Sequence, residues 1–147
     1  MTEQPTWISK RAVVAIHAML LAVHGGASGF IDESLLDSAL DSPKNHQAYG
    51  RSDLFELAAV YAHALTQNHP FVDGNKRVAL TVSLTFLERN GWVVLAPEPE
   101  AVQMVLALSS RTADAAAFAA WLRTWAQPVR RTRGPTRTRA VAKKQRR

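Results

Sequence analysis

The chain has 147 residues, a length typical of one domain with a hydrophobic core of its own. It contains no cysteine, which excludes disulfides and thiolate metal sites, and no apolar run reaches the roughly 18 residues that cross a bilayer. The N-terminus lacks the basic flank and apolar stretch of a signal peptide, so we expect a soluble, cytoplasmic protein with no membrane partner.

The net charge of +6 is concentrated at the C-terminal end. Residues 127–147 contain nine Lys and Arg and no acid, so residues 1–126 hold nine bases against twelve acids, a net charge of −3. This composition predicts a folded domain over 1–126 and a basic, disordered tail over 127–147. A solvated extension is the usual role of such a tail, and electrostatic contact of residues 130–147 with nucleic acid or a ribosome is the alternative.

Hydrophobic periodicity predicts an all-α fold of about six helices. They are expected at about 9–24, 32–40, 53–68, 78–89, 100–110 and from 112 or 114 to about 125. Ser9 and Asp32 are suited to cap the first two helices, and Asp53 with Glu56 has the spacing of a capping box. Pro43 is expected to end helix two, leaving a polar loop over 44–52.

The inner faces follow from the same spacing. Helix one is expected to bury Val13, Ile16, Leu20 and Val23. Helix four is apolar on nearly every side, which is typical of a helix in the middle of a bundle. Residues 92–95 form a short extended piece, too short for an independent sheet.

Nine residues between helices three and four concentrate the reactive groups of the chain. They read His69-Pro70-Phe71-Val72-Asp73-Gly74-Asn75-Lys76-Arg77. Pro70 cannot continue the preceding helix, and Asn75 is suited to cap the next one. The pattern predicts a tight loop that leads into a helix N-terminus, where unpaired N–H groups and a partial positive charge suit a phosphate.

This stretch resembles the signature of the Fic/Doc superfamily, and the resemblance covers about residues 7–126. Further segments resemble the Doc branch in order and spacing: Gly25-Gly26, residues 35–40, Tyr49-Gly50, Asp53-Leu54 and residues 86–91. The resemblance implies a Fic/Doc-type helical bundle with the active loop between helices three and four. It also implies an enzyme that moves part of a nucleotide onto a protein hydroxyl.

The resemblance assigns roles within the loop. His69 would accept the proton of the target hydroxyl, and Asp73 would hold Mg²⁺ against the phosphates of ATP or another nucleoside triphosphate. Lys76 and Arg77 would neutralise the charge on the transferred phosphoryl group, and Asn75 would bind phosphate or hold the loop. Gly74 would contribute to the phosphate site by permitting a tight turn, and Phe71 would anchor the loop in the core.

Two positions depart from the Fic branch and favour the Doc branch. Lys76 stands where that branch has a glycine, and Leu80 stands where it has a second arginine. The Doc branch implies a toxin kinase that transfers the terminal phosphate to a threonine of elongation factor Tu and stops translation. The alternatives are a Fic-type adenylyltransferase, which transfers AMP, and a catalytically inactive binding module that acts through its basic tail.

The resemblance also implies a partner, a small Phd-like antitoxin whose C-terminal segment neutralises the toxin in an apolar groove. No inhibitory helix of the kind found in some Fic proteins is apparent, so control by this partner is expected. Outside the loop, His17, His24 and His63 are expected to be packing or surface residues. Tyr49 and Arg51 are weaker candidates for lining the nucleotide pocket.

Overall fold

A computed structural model describes residues 4–130, which form six helices and one short antiparallel sheet. The elements are α1 (Lys10–His24), α2 (Glu33–Ala48), α3 (Leu54–Asn68), α4 (Asn75–Arg89), β1 (Trp92–Val94), α5 (Glu98–Ser109), α6 (Ala115–Trp125) and β2 (Ala126–Pro128). The predicted all-α class is confirmed. Among residues 4–130, no helix combines the length and the apolar character needed to cross a membrane. Most of the predicted tail, residues 131–147, lies outside the described part of the chain.

Helices α3 and α4 form the centre of the bundle. α3 packs against α2, α4, α5 and α6, and α4 packs against α1, α3, α5 and β1. Tyr61 of α3 and Phe86 of α4 are fully buried and contact each other, with ring centroids 5.1 Å apart. Since the reactive loop joins these two helices, it is mounted on the most deeply packed part of the molecule.

Four helices begin where their capping residues predict. The side chain of Ser9 accepts a hydrogen bond from the first turn of α1, and Asp32 does the same for α2. Asp53 and Glu56 form the predicted reciprocal capping box at α3. At α6 the cap is Asp114, the second of the two expected candidates. These starts are local, because each depends on residues within three positions.

Helix α2 is twice as long as the sequence pattern predicts, and the expectation that Pro43 ends it is wrong. Pro43 lies inside the helix and is buried. A proline in a helix loses one backbone hydrogen bond, but α2 packs along α3 and its buried positions continue to Pro43. Tertiary packing therefore sustains the helix through most of the predicted loop 44–52.

The predicted inner face of α1 is partly wrong. Val23 is 70% exposed, and the residues that are buried are Val13 and His17. The last turn of α1 leads into residues 25–29, which are all exposed and offer it no apolar surface. A histidine thus occupies one of the two buried positions of this helix.

Strand β1 has a partner that the sequence pattern did not indicate. Val93 pairs with Gln127 in register, and the N–H of Val129 donates to the carbonyl of Gly91 at 2.8 Å. Gln127 and Pro128, assigned to the tail in the sequence analysis, are therefore part of a strand. The two strands are more than thirty residues apart in the sequence, so local hydrophobic periodicity does not indicate that they pair.

Candidate active site

Helix α3 ends at Asn68, and its C-cap residue His69 has a left-handed backbone conformation (φ 52°, ψ 57°). Its N–H donates to the carbonyl of Leu65, and Pro70 follows with no N–H to continue the helix. A histidine tolerates this conformation better than most residues, although it is uncommon without glycine. The turn leaves the His69 side chain exposed at the start of the loop.

The glycine-rich residues 25–31 lie directly against the loop. The N–H of Val72 donates to the carbonyl of Gly29 at 3.0 Å, and the N–H of Ile31 donates to the carbonyl of Pro70 at 2.8 Å. Phe30 and Phe71 pair as an isolated antiparallel bridge. Three glycines close to one another favour such an approach of two backbones, and the loop is the surface that this segment contacts.

Phe71 fastens the loop to the core. Its side chain is 1% exposed, and it stacks on the ring of His17 with centroids 3.8 Å apart and on Phe30 at 5.1 Å. It does not line the cavity described below. This is the position expected of an anchor rather than of a group that touches a substrate.

The side chain of Asn75 closes the loop on itself. Its oxygen accepts from the N–H of Phe71 at 3.0 Å, and its nitrogen donates to the carbonyl of Phe71 at 2.9 Å. The expectation that Asn75 caps α4 is wrong, because α4 begins at Asn75 and the cap position is Gly74. The backbone at this cap position is in the left-handed region, with φ 85° at Gly74, and glycine adopts that conformation without strain. Asn75 thus holds the loop, and its contact with phosphate stays a prediction.

The N-terminus of α4 has no side-chain cap. Its first turn contains no acid, and Lys76 and Arg77 are both exposed there. Within residues 4–130 neither forms a salt bridge. Two cations at the positive end of a helix dipole are unfavourable, and an anion bound to the free N–H groups would relieve this.

Asp73 is held on both sides by backbone. Its Oδ1 accepts from the N–H of Gly74 at 2.9 Å, and its Oδ2 accepts from the N–H of Ala27 at 3.3 Å. A Cβ added to Gly26 would lie 2.8 Å from Oδ2, so only glycine allows this approach. The carboxylate is nevertheless exposed, and it keeps lone pairs for a further ligand.

One cavity of about 340 Å³ collects these groups. It is lined by His69, Val72, Asp73, Gly74, Asn75, Lys76, Arg77, Leu80, Val102, Val105 and Leu106. All the predicted catalytic and phosphate-binding residues are in this set. The apolar wall from α5 was missed, because nothing in the sequence relates α5 to the loop. Tyr49 and Arg51 lie at other surfaces, so they do not line this cavity.

The residues present fit a magnesium nucleotide. Mg²⁺ prefers oxygen ligands and usually takes only one or two protein carboxylates, with phosphates and water completing its shell. Asp73 supplies one such carboxylate, and residues 4–130 contain no cluster of three or more histidine and acidic side chains that would form an all-protein site. The uncapped N–H groups, Lys76 and Arg77 would offer positive charge to the phosphates of such a nucleotide.

The fold and the loop together define the class of protein. It is an all-α bundle in which a loop with the features of a phosphate-binding site leads into the N-terminus of a central helix. The model of the Fic/DOC family matches residues 7–87, more than half of the chain, and the chain belongs to this family.

Two curated relatives are Doc proteins. "Protein kinase doc" of Escherichia phage P1 is 32% identical over 117 residues, which cover 79% of this chain and 92% of that protein. "Toxin Doc" of Mycolicibacterium smegmatis (strain ATCC 700084 / mc(2)155) is 41% identical over 71 residues, 46% of this chain and 53% of that protein. The resemblance to the Doc branch is therefore confirmed.

Proposed function

We propose that this protein is a Doc-type toxin kinase. It transfers the terminal phosphate of a nucleoside triphosphate to a threonine hydroxyl of elongation factor Tu, and it arrests translation in the bacterial cytoplasm. The observation that carries the proposal is that His69, Asp73, Lys76 and Arg77 line one cavity, and that the α4 N-terminus, which contributes to the same lining, has no side-chain cap. The relative named as a protein kinase supports a kinase rather than another transferase.

The proposed step is a displacement at phosphorus. The hydroxyl oxygen of the target forms a bond to the terminal phosphorus, and the bond from that phosphorus to the bridging oxygen breaks. His69 accepts the hydroxyl proton, and the nucleoside diphosphate leaves with the bonding electron pair. Because His69 lines the cavity and is exposed, a side chain of a second protein can reach it.

The other loop residues bind and orient the phosphates. The N–H groups at the start of α4, with Lys76 and Arg77, stabilise negative charge on the phosphoryl oxygens. Asp73 would hold the metal ion. When bound, Mg²⁺ would withdraw charge from the phosphates. Since transfer of this kind depends mainly on positioning and electrostatics, a rigid loop on α3 and α4 is what the reaction needs.

The wall of the cavity favours transfer of phosphate over transfer of AMP. Leu80 lines the cavity where the adenylylating branch carries a second arginine, and its neighbours Val102, Val105 and Leu106 are apolar. Lys76 is exposed in the first turn of α4, where it adds a point charge. Among the residues that line the cavity, the lysine and arginine are therefore Lys76 and Arg77, with no second arginine at position 80.

The test is a labelling reaction with the full chain, Mg²⁺, elongation factor Tu and ATP labelled at either the α or the γ phosphate. His69→Asn serves as the control, because asparagine also accepts a left-handed backbone but cannot take the proton. Label from γ alone, lost in the variant, supports the kinase. Label from α contradicts it and favours an adenylyltransferase. No label, with whole-cell lysate also tried as target, favours a binding module whose basic residues 130–147 contact nucleic acid or a ribosome.

A small Phd-like antitoxin is the proposed partner. Helix α1 leaves Val14 exposed, and Val14 lines a groove of about 510 Å³ together with Phe30 and Phe71. An apolar segment bound there would contact the residues that hold the active loop, which suits an inhibitor. Recovery from the native host of a small protein that binds the wild type but not Val14→Asp, and that restores growth, would support this. Equal binding to both would contradict the location.

A further inference from the structure

We infer that His17 is a positioning residue, which fixes the main chain at Asp73 and so sets where the metal-binding carboxylate lies. Its Nε2 is 2.9 Å from the carbonyl oxygen of Asp73, 56 residues away along the chain. This inference rests on the proposed role of Asp73 in binding magnesium. Neither the loop motif nor the sequence pattern of α1 points to His17.

The hydrogen bond has one direction. A carbonyl oxygen can only accept, so Nε2 of His17 carries a proton and donates. The side chain is 6% exposed, and a buried polar group without a partner would be costly. The bond to Asp73 therefore explains why a histidine is accommodated at this buried position of α1.

The ring of His17 holds three residues of the loop together. It stacks on Phe71 at an angle of 12°, donates to the carbonyl of Asp73, and lies 3.6 Å from the position of a Cβ on Gly74. A methyl group at Gly74 would be in ordinary van der Waals contact with this ring. His17 thus supports the loop from α1 and does not itself line the cavity.

The effect reaches the carboxylate through the backbone. Asp73 is fixed at its carbonyl by His17, at Oδ1 by the N–H of Gly74 and at Oδ2 by the N–H of Ala27. Removal of the first contact frees the peptide plane between Asp73 and Gly74 to rotate. This rotation would move both the carboxylate and the cap residue of α4, and groups that orient a metal ligand commonly change metal affinity when lost.

The test separates the hydrogen bond from the ring. His17→Phe keeps a ring to stack on Phe71 but has no donor, whereas His17→Gln keeps a donor with similar reach but has no ring. His63→Phe is the matched control, since His63 is an exposed histidine on α3. The measurements are calorimetric titration of Mg²⁺ into the full chain with ADP, and the amide NMR signals of Asp73 and Gly74.

We expect His17→Phe to weaken Mg²⁺ binding on the order of 10-fold and to shift both amide signals, with His17→Gln recovering part of the loss. His63→Phe should change neither measurement. Wild-type Mg²⁺ binding and unmoved amide signals in His17→Phe would overturn the inference, as would equal losses in both His17 variants. If His17→Phe does not fold, His17→Gln is compared with His17→Leu, which has neither a donor nor a ring. Mg²⁺ binding at least about 3-fold tighter in His17→Gln supports the donor role, and equal binding in the two variants contradicts it.

Failure of the proposed function gives a different result. If the wild type binds neither ADP nor Mg²⁺, the kinase proposal fails, and the amide signals alone judge His17. Signals of Asp73 and Gly74 that move in His17→Phe but return toward their wild-type positions in His17→Gln would still support the positioning role.

Discussion

Asn75 binds both polar backbone groups of Phe71, accepting from its N–H at 3.0 Å and donating to its carbonyl at 2.9 Å. The Asn75 side chain is 4% exposed, so these two hydrogen bonds are shielded from water. An amide is the side chain that can accept and donate at the same time in this geometry. The seventh residue of the nine-residue motif thus gives the loop its shape, whether or not it also touches phosphate.

Replacement of Asn75 with alanine tests this role in stability. Two buried backbone groups of Phe71 would lose their partners, and we expect the free energy of unfolding to fall by about 2–4 kcal/mol. Urea unfolding followed by circular dichroism measures it. Asn45→Ala, at an exposed residue of α2, is the control and should change stability by less than about 0.5 kcal/mol. If the free energy of unfolding of Asn75→Ala also fell by less than about 0.5 kcal/mol, the structural role of Asn75 would be contradicted.

Gly26→Ala tests the contact between the glycine-rich segment and Asp73. The new methyl group would lie 2.8 Å from Oδ2 of Asp73 and 3.0 Å from a methyl group of Leu21, so the carboxylate must move. We expect weaker Mg²⁺-dependent binding of ATP, on the order of 10-fold, measured by titration of fluorescent ATP at several Mg²⁺ concentrations.

Gly25→Ala is the matched control for that change. Gly25 also has a positive φ, of 80°, so alanine there strains the backbone, but nothing lies within 4 Å of the added group. Stability should decrease in both variants, whereas Mg²⁺ dependence should change only in Gly26→Ala. The same Mg²⁺ dependence in both variants would mean that backbone strain, rather than contact with Asp73, is responsible.

His69→Asn tests the proton acceptor. Asparagine tolerates the left-handed conformation of residue 69, so we expect the free energy of unfolding to stay within about 0.5 kcal/mol of the wild type. The rate of phosphate transfer should fall by roughly 10²–10⁴-fold, while binding of ATP changes little. Single-turnover labelling measures the rate. A variant that transfers phosphate at nearly the wild-type rate would exclude His69 as the base.

The buried phenol of Tyr61 should make the stability of the fold depend on pH. Burial raises the pKa of its phenol above the ordinary value of 10.0, and the hydrogen bond that its oxygen accepts from the N–H of Ile8 opposes this by less. The folded protein therefore keeps the phenolic proton more tightly than the unfolded chain. The resulting stability is present below about pH 10 and is lost as the pH rises through the folded-state pKa.

Tyr61→Phe should separate the two effects. It removes the acceptor of the Ile8 N–H, so we expect about 1 kcal/mol less stability at neutral pH. It also removes the titrating phenol, so the difference from the wild type should shrink above about pH 10. Urea unfolding at several pH values measures both. A constant difference across that range would show that ionisation of Tyr61 does not couple to unfolding.

Some parts of the fold could be read from neighbouring residues in the sequence. Ser9 and Asp53 mark helix starts because a cap needs only residues two or three positions ahead. Neighbouring residues predict wrongly that Pro43 ends α2, because packing of α2 on α3, which involves distant residues, outweighs the local cost of a proline. β2 was missed, since its residues show no strand pattern without Trp92–Val94 beside them.

The site shows the same division. The motif from His69 to Arg77 and its place between two helices are legible in the sequence, because they depend on residue types at fixed spacing. The contacts that hold this loop come from His17 in α1 and from residues 27–31, and the apolar wall comes from α5. These segments are far apart in the chain, and burial and hydrogen-bond partners are set by the neighbours that folding brings together. Residue identity therefore determines which reactive groups the site contains, whereas packing of α1, α3, α4 and α5 determines where those groups lie and how they are oriented.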